Sequence, residues 1–303
     1  MDSIKNEALT IKVKKHGAEL ASIVCDGREY LWQADEAFWK RHSPVLFPLV
    51  GAVWGGKFRS HGEEFAMGQH GFARDMDFTL IHETADELRY ALCSTEETLK
   101  RYPYPFRLEI GYRLEGRSVR VMWHVENPGQ EVMAFQIGAH PAFYWPMLTN
   151  EEIEGGVAAM EAPLAGSDHR GYFQLDGGGR TMPVSVITEG GCVGNEAQVT
   201  TDDEGYLPLD VHTFDHDALI FENSLVKRVT LCGEDRKPYL TLEFTSPLVG
   251  LWSPPHKRAP FVCIEPWYGR TDPAHYTGSY EEKPWMNFLK PGEVFDVDYR
   301  IIL

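Results

Sequence analysis

The sequence predicts an all-β protein, a large antiparallel β-sandwich with a few short helices. Three observations lead there. Alternation of apolar and polar residues with a period of two recurs in long stretches, the mark of strands with one buried face. Helix-favouring runs are short, and the strand-helix alternation of a parallel α/β protein is missing. A composition with 28 Gly, 19 Pro and 12% aromatic residues in 303 suits many strands joined by turns.

Along the chain, DEAFWKR from Asp35 offers a turn or two of helix before Pro44. Ser94 and Glu97 stand at capping-box spacing ahead of TLKRY, which Pro103 soon closes. In VRVMWHVEN, Val119, Val121, Trp123 and Val125 share one face, with Arg120, His124 and Glu126 on the other. Residues 149–195 are rich in Gly, Ala, Glu and Asp and read as a long loop excursion. Its LDGGGR glycines lack the GK[ST] ending of a phosphate-binding loop, which argues against nucleotide. Thr213-Phe214 and the ALIF run after Asp217 look like strand. YLTLEFTS sets Leu240, Leu242 and Phe244 against Thr241, Glu243 and Thr245, and the C-terminal VFDVDYRIIL alternates in the same way. With no linker and no internal repeat, one domain over residues 1–303 is expected.

Charge and composition narrow the partners. A formal charge of −16 argues against a nucleic-acid or anionic-membrane surface, yet leaves room for a local cationic pocket. A small neutral substrate fits best, taken by a monomer or homodimer. No run of about 18 apolar residues exists, so no membrane span is expected. MDSIKNEALT lacks the basic and apolar regions of a signal peptide. Cys25, Cys93, Cys192, Cys232 and Cys263 are widely scattered, which suits reduced thiols rather than a disulfide framework or a zinc site. The expectation is a cytoplasmic protein.

Four segments set reactive polar residues among apolar ones: QHGFARD (69–75), GAHPAFYWP (138–146), FDHDALIF (214–221) and CIEPWYGR (263–270). Glu265 ends an apolar strand, where desolvation raises a carboxyl pKa and suits it to general base work. An ion pair with an arginine such as Arg74 or Arg270, or simple exposure at a strand end, would account for it as well. His70, beside Gly71, suits either a turn or a ligand contact, and His140, held extended by Pro141, suits either a core or a cleft. His212 and His216 would pair around a metal on a helix, but on a strand they stand some 13 Å apart at roughly 3.3 Å per residue. Cys263 shares a strand face with Glu265, and its apolar setting favours an inert thiol.

Taken together these segments resemble the aldose 1-epimerase (galactose mutarotase) family, most closely its LacX-like branch. The resemblance runs through YLWQADEAFW, PVLFPLVG, QHGFARD, GAHPAF, DALIF, CIEPWYG and LKPGEVF, in that order, over residues 30 to 295. It implies the mutarotase-like supersandwich, an open sugar cleft, no required metal or organic cofactor, and interconversion of the α and β anomers of a hexose. It further implies Glu265 as base on the anomeric hydroxyl, His140 as acid on the ring oxygen, and His70 as a hydrogen-bonding assistant. Arg74 and either Asp217 or Asp215 would bind substrate, with Trp267 and Phe143 as candidate flat faces against the sugar. Many relatives carry arginine after the glycine of PVLFPLVG, whereas here Ala52 follows Gly51. Two other readings stand beside this one: a hexose-6-phosphate 1-epimerase using Lys40, Arg41 and Arg74, and a non-catalytic carbohydrate-binding or sensing protein.

Overall fold

A computed structural model describes residues 1–176 and 179–303. The glycines at 177 and 178, at the heart of LDGGGR, lie outside the described residues. Two large antiparallel sheets dominate. The nine-stranded sheet runs Tyr206–Asp210, His169–Leu175, Arg228–Cys232, Pro238–Phe244, Val294–Ile302, Ser118–Glu126, Arg107–Glu115, Glu87–Cys93 and Thr79–Glu83. The eight-stranded sheet runs Val193–Thr200, Thr181–Ile187, Leu219–Phe221, Leu248–Trp252, Phe261–Tyr268, Ile137–Ala139 and Val45–Leu46, with Ala142–Tyr144 also on Phe261–Tyr268. A four-stranded sheet of Asp2–Lys5, Leu9–Val13, Leu20–Cys25 and Arg28–Glu29 joins them, with two-stranded ribbons Lys57–Ser60/Glu63–Ala66 and Met133–Phe135/Asn287–Leu289. The all-β expectation holds.

The alternation seen in sequence is the alternation of burial. Val119, Val121, Trp123 and Val125 are buried while Arg120, His124 and Glu126 stay half-exposed. One continuous apolar core takes Ile11 and Ile23 from the N-terminal sheet, Val121 and Leu242 from the nine-stranded sheet, and Val262 and Ile264 from the eight-stranded one. Each such side chain is worth roughly 1.5–3 kcal/mol on burial, which fixes strand register because a slip by one residue would expose the whole row. Phe261–Tyr268 lies inside the eight-stranded sheet and is buried at every position but its last.

Three local expectations differ from the structure. The capping box sits one residue later, on Thr95 and Thr98, opening the helix Glu96–Leu99. Ser94 is unavailable because its N–H still pairs with Phe106 O. After Asp35 the chain does make a single turn, within the one or two expected, with the Asp35 side chain accepting from Ala37 N–H. Residues 211–217 are turn rather than strand: Asp210 Oδ1 accepts from His212 N–H, and Thr213 Oγ1 accepts from Asp210 N–H, which folds the segment on itself.

The 149–195 excursion is ordered as helices Asn150–Glu154 and Val157–Gly166, strands His169–Leu175 and Thr181–Ile187, and a 3₁₀ turn Glu189–Gly191. Thr149 and Glu152 cap the first helix reciprocally. The second contains Pro163 and buries only Met160 and Leu164, so its sequence carries no broad apolar stripe to announce it.

Candidate active site

The register of Phe261–Tyr268 builds the centre. Gly138 pairs with Trp267, and Ala142 pairs with Cys263, so His140 falls opposite Glu265 in the gap between two short strands. Pro141 keeps that gap extended and offers no N–H to close it. Strand alternation then puts Cys263, Glu265 and Trp267 on one face. On the other flank Gly250 pairs with Glu265, and it must be glycine: a Cβ there would lie 2.5 Å from Trp267 Cη2. The indole fills that space and donates Nε1–H to Ala139 O at 3.2 Å.

His70 arrives from a loop and is clamped at both ends by Gly51. Its N–H donates to Gly51 O at 2.7 Å, and its Nδ1 accepts from Gly51 N–H at 3.1 Å. A neutral ring so held carries its proton on Nε2. The following Gly71 has φ +70° and abuts Phe47 O, where a Cβ would stand 2.2 Å away, so glycine alone permits this approach.

These groups meet in a cavity of about 450 Å³, lined among others by Trp39, His70, Arg74, His140, Asp217 and Glu265. Small-molecule sites run roughly 300–1,000 Å³. His140 Nε2 stands 3.3 Å from Glu265 Oε2, close but not aligned for a hydrogen bond. The His140 ring stacks on Trp39 at 4.7 Å and meets the Trp252 edge at 5.4 Å and the His70 ring at 5.5 Å. Glu265 is 1% exposed, and its Oε2 has no hydrogen-bond partner.

Burial sets the protonation states. Desolvation, reinforced by the Asp217 charge, lifts the Glu265 carboxyl well above the usual carboxylate range. Desolvation lifts Asp217 as well. The His140 imidazole is pushed down to about 3 by burial and then by the Arg74 charge. His70 is held well below the ordinary imidazole range by burial and by His140. Arg74 falls to about 10 through burial and the neighbouring Arg41. Burial therefore favours the neutral form of both imidazoles and the protonated form of the Glu265 carboxyl, an arrangement able to give a proton at one point and accept one at another.

Of the residues singled out in sequence, Glu265, His140, His70, Arg74, Asp217 and Trp267 line this cavity. Phe143 and Asp215 do not. Phe143 is fully buried in the core on the strand Ala142–Tyr144, leaving it no surface for a ligand. Asp215 sits on the turn before the site, with His212 Nδ1 at 2.8 Å and His256 Nδ1 at 3.0 Å, so its partners are His212 and His256 rather than His216. Trp145, in the same aromatic run as Phe143, is also core, its Nε1–H donating to Ala259 O.

The aromatic walls are instead Trp39, Trp252 and Trp267. Trp39 closes the YLWQADEAFW segment of the resemblance without being marked as a wall, and Trp252, the last residue of the strand Leu248–Trp252, carries no local signature. Sequence also missed Thr271, whose Oγ1 accepts from Ala52 N–H and lies 2.9 Å from Ala52 O and 2.7 Å from Gly191 O. Those contacts tie the loop after Gly51 to the 3₁₀ turn that ends the excursion; the one hydroxyl proton goes to one of the two carbonyls, and Ala52 O also accepts from Asp272 N–H at 3.0 Å.

The aldose 1-epimerase family model matches residues 3–301. The LacX protein encoded on the chromosome of Lactococcus lactis is 30% identical over 309 residues, covering 99% of this chain and 98% of that one. The structure of a galactose mutarotase related enzyme from Lactobacillus acidophilus matches with a TM-score of 0.85 at 30% identity, covering 99% of this chain and 96% of that one. A galactose mutarotase-like protein from Lactobacillus casei gives a TM-score of 0.85 at 27% identity, covering 100% and 99%.

Proposed function

The chain belongs to the aldose 1-epimerase family, and from that premise we propose that it is a mutarotase interconverting the α and β anomers of a hexose. The observation that carries the reading is the His140–Glu265 pair, buried in the cavity at 3.3 Å with both groups displaced from their ordinary pKa values. Ring opening needs a base at the anomeric hydroxyl and an acid at the ring oxygen. One proton on the pair suffices for both steps. With that proton on His140, the Glu265 carboxylate takes the anomeric proton while the imidazolium gives its own to the ring oxygen. The pair is left as carboxylic acid and neutral imidazole, the distribution that burial favours. After rotation of the aldehyde, His140 takes the proton from the C5 hydroxyl and Glu265 protonates the carbonyl oxygen. The ring closes on the other face and the first state returns.

His70 Nε2–H faces the same cavity as a neutral donor for a sugar oxygen. Arg74 and Asp217 supply polar contacts, and Trp39, Trp252 and Trp267 supply flat apolar walls. The reaction needs no metal or organic cofactor. Five free cysteines, four of them buried, suit a cytoplasmic protein.

One observation favours a second reading, a hexose-6-phosphate 1-epimerase. In a chain of charge −16, three cations, Lys40, Arg41 and Arg74, line this one cavity, and Arg74 Nε is buried without a hydrogen-bond partner. Polarimetry of freshly dissolved α-anomers across free and 6-phosphorylated hexoses tests both. Acceleration of free sugars supports the first, acceleration confined to phosphorylated sugars supports the second, and saturable binding with no acceleration identifies a sugar-binding protein.

A further inference from the structure

Behind the acid–base pair lies a third donor that the reaction does not use. Cys263 shares the strand face of Glu265 two residues away and is fully buried. The Cys263 Sγ, a His140 ring nitrogen and a Glu265 carboxylate oxygen all lie within 4.8 Å of one another. The Glu265 Oε2 is buried and unpartnered. Thiolate, imidazole and carboxylate are each ligand types that zinc takes, and its open tetrahedral sites hold three protein ligands and leave the fourth position free.

The geometry is close to what such a site requires. Bond lengths of about 2.3 Å to sulfur and about 2.0–2.2 Å to nitrogen and oxygen put tetrahedral donors roughly 3.3–3.6 Å apart. His140 Nε2 and Glu265 Oε2 already stand 3.3 Å apart. The sulfur, at no more than 4.8 Å from a His140 ring nitrogen and from a Glu265 carboxylate oxygen, has about 1 Å to travel. We propose that Cys263, His140 and Glu265 form a capture site for a thiophilic divalent cation of the zinc class, with its fourth position open to the cavity. Such an ion would occupy the lone pair of His140 and the carboxylate of Glu265, closing the acid–base pair.

No electrons move in this step. The thiol proton, and the proton of Glu265 where present, pass to solvent as the metal–ligand bonds form, so capture strengthens with rising pH. Hard cations such as Mg²⁺ and Ca²⁺, which prefer all-oxygen shells, are not held.

The test is direct metal binding on the full chain without sugar, which separates it from the fate of the epimerase reading. Co²⁺ serves as spectroscopic probe and Zn²⁺ as competitor. The exposed Cys93 and the surface His256 beside Asp215 are first replaced by alanine, to remove rival donors. The expected result is one equivalent of Co²⁺ with thiolate-to-cobalt charge-transfer absorption, displaced by Zn²⁺ and untouched by Mg²⁺. Cys263→Ala abolishes that band, and Cys263→Ser does the same should the alanine variant fail to fold. Either weakens Zn²⁺ binding by about 100-fold or more, since even an outer-shell partner is worth 10–100-fold. A wild type with no thiolate band, or a folded Cys263 variant that binds as the wild type does, overturns the proposal. Where mutarotation is measurable, Zn²⁺ inhibits the wild type, and Cys263→Ala keeps its activity and loses the inhibition.

Discussion

Replacing Glu265 by glutamine separates the chemistry of this carboxyl from its contribution to folding. Glutamine matches the protonated acid in shape and hydrogen-bonding groups but cannot carry a proton between sugar and histidine. Mutarotation should fall by about 10²–10⁴-fold, the contribution of one positioned acid or base. Stability follows a different course. The folded pKa of Glu265 is raised by burial, with Asp217 second. Its contribution is therefore fully present below the unfolded value of about 4.3, and it is lost as pH rises toward the folded value. Within that window wild-type stability loses up to about 1.4 kcal/mol per pH unit from this one group. Glu265→Gln does not titrate, so its stability relative to wild type should climb steadily with pH. Urea unfolding at pH 5, 7 and 9 reads the difference. Using the difference between the two proteins cancels most of the His70 and His140 contributions, which run in the opposite direction. A flat difference across that range would refute the buried neutral acid, and unchanged mutarotation would refute its catalytic role.

The remaining predictions concern the rest of the site. His140→Gln should cost about 10²–10⁴-fold in kcat/KM. In the wild type the acid limb should lie near 3, because activity is lost only when His140 gains a second proton for the pair; a limb at an ordinary histidine pKa of about 6.5 would contradict that burial. Gly250→Ala should destabilise by about 1–3 kcal/mol in urea and lower activity, since its Cβ displaces the Trp267 indole against which it packs at 2.5 Å. Wild-type stability in this variant would show that the indole yields freely. Arg74→Gln should raise KM far more for 6-phosphorylated than for free hexoses if the anionic reading holds, and equally for both if Arg74 contacts a neutral sugar.

Much was legible without a structure, for identifiable reasons. The strands Ser118–Glu126 and Pro238–Phe244 announced themselves because alternation is local, and a sheet with one buried face writes it into neighbouring residues. The helix Val157–Gly166 did not, because its only buried contacts are Met160 and Leu164 and its interior carries Pro163. Glu265, His140 and His70 were found as separate reactive residues in apolar company, and a resemblance to a family set them in one site. Local composition alone leaves Glu265 divided between a base and an ion pair, His70 between a ligand contact and a turn, and His140 between cleft and core.

Only the tertiary structure decided how they combine. Which aromatics face the cavity depends on strands meeting at a distance in sequence. Phe143 turned to the core, while Trp39, Trp252 and Trp267 formed the walls. Asp217 and Asp215, two residues apart, were separated by a turn whose hydrogen bonds lie outside any strand periodicity. The pairing of Gly138 with Trp267 and of Ala142 with Cys263 set His140 against Glu265, and the burial of both moved their proton affinities in opposite directions. Sequence supplies the donors and acceptors; register and desolvation, which are properties of the folded whole, determine where the proton rests.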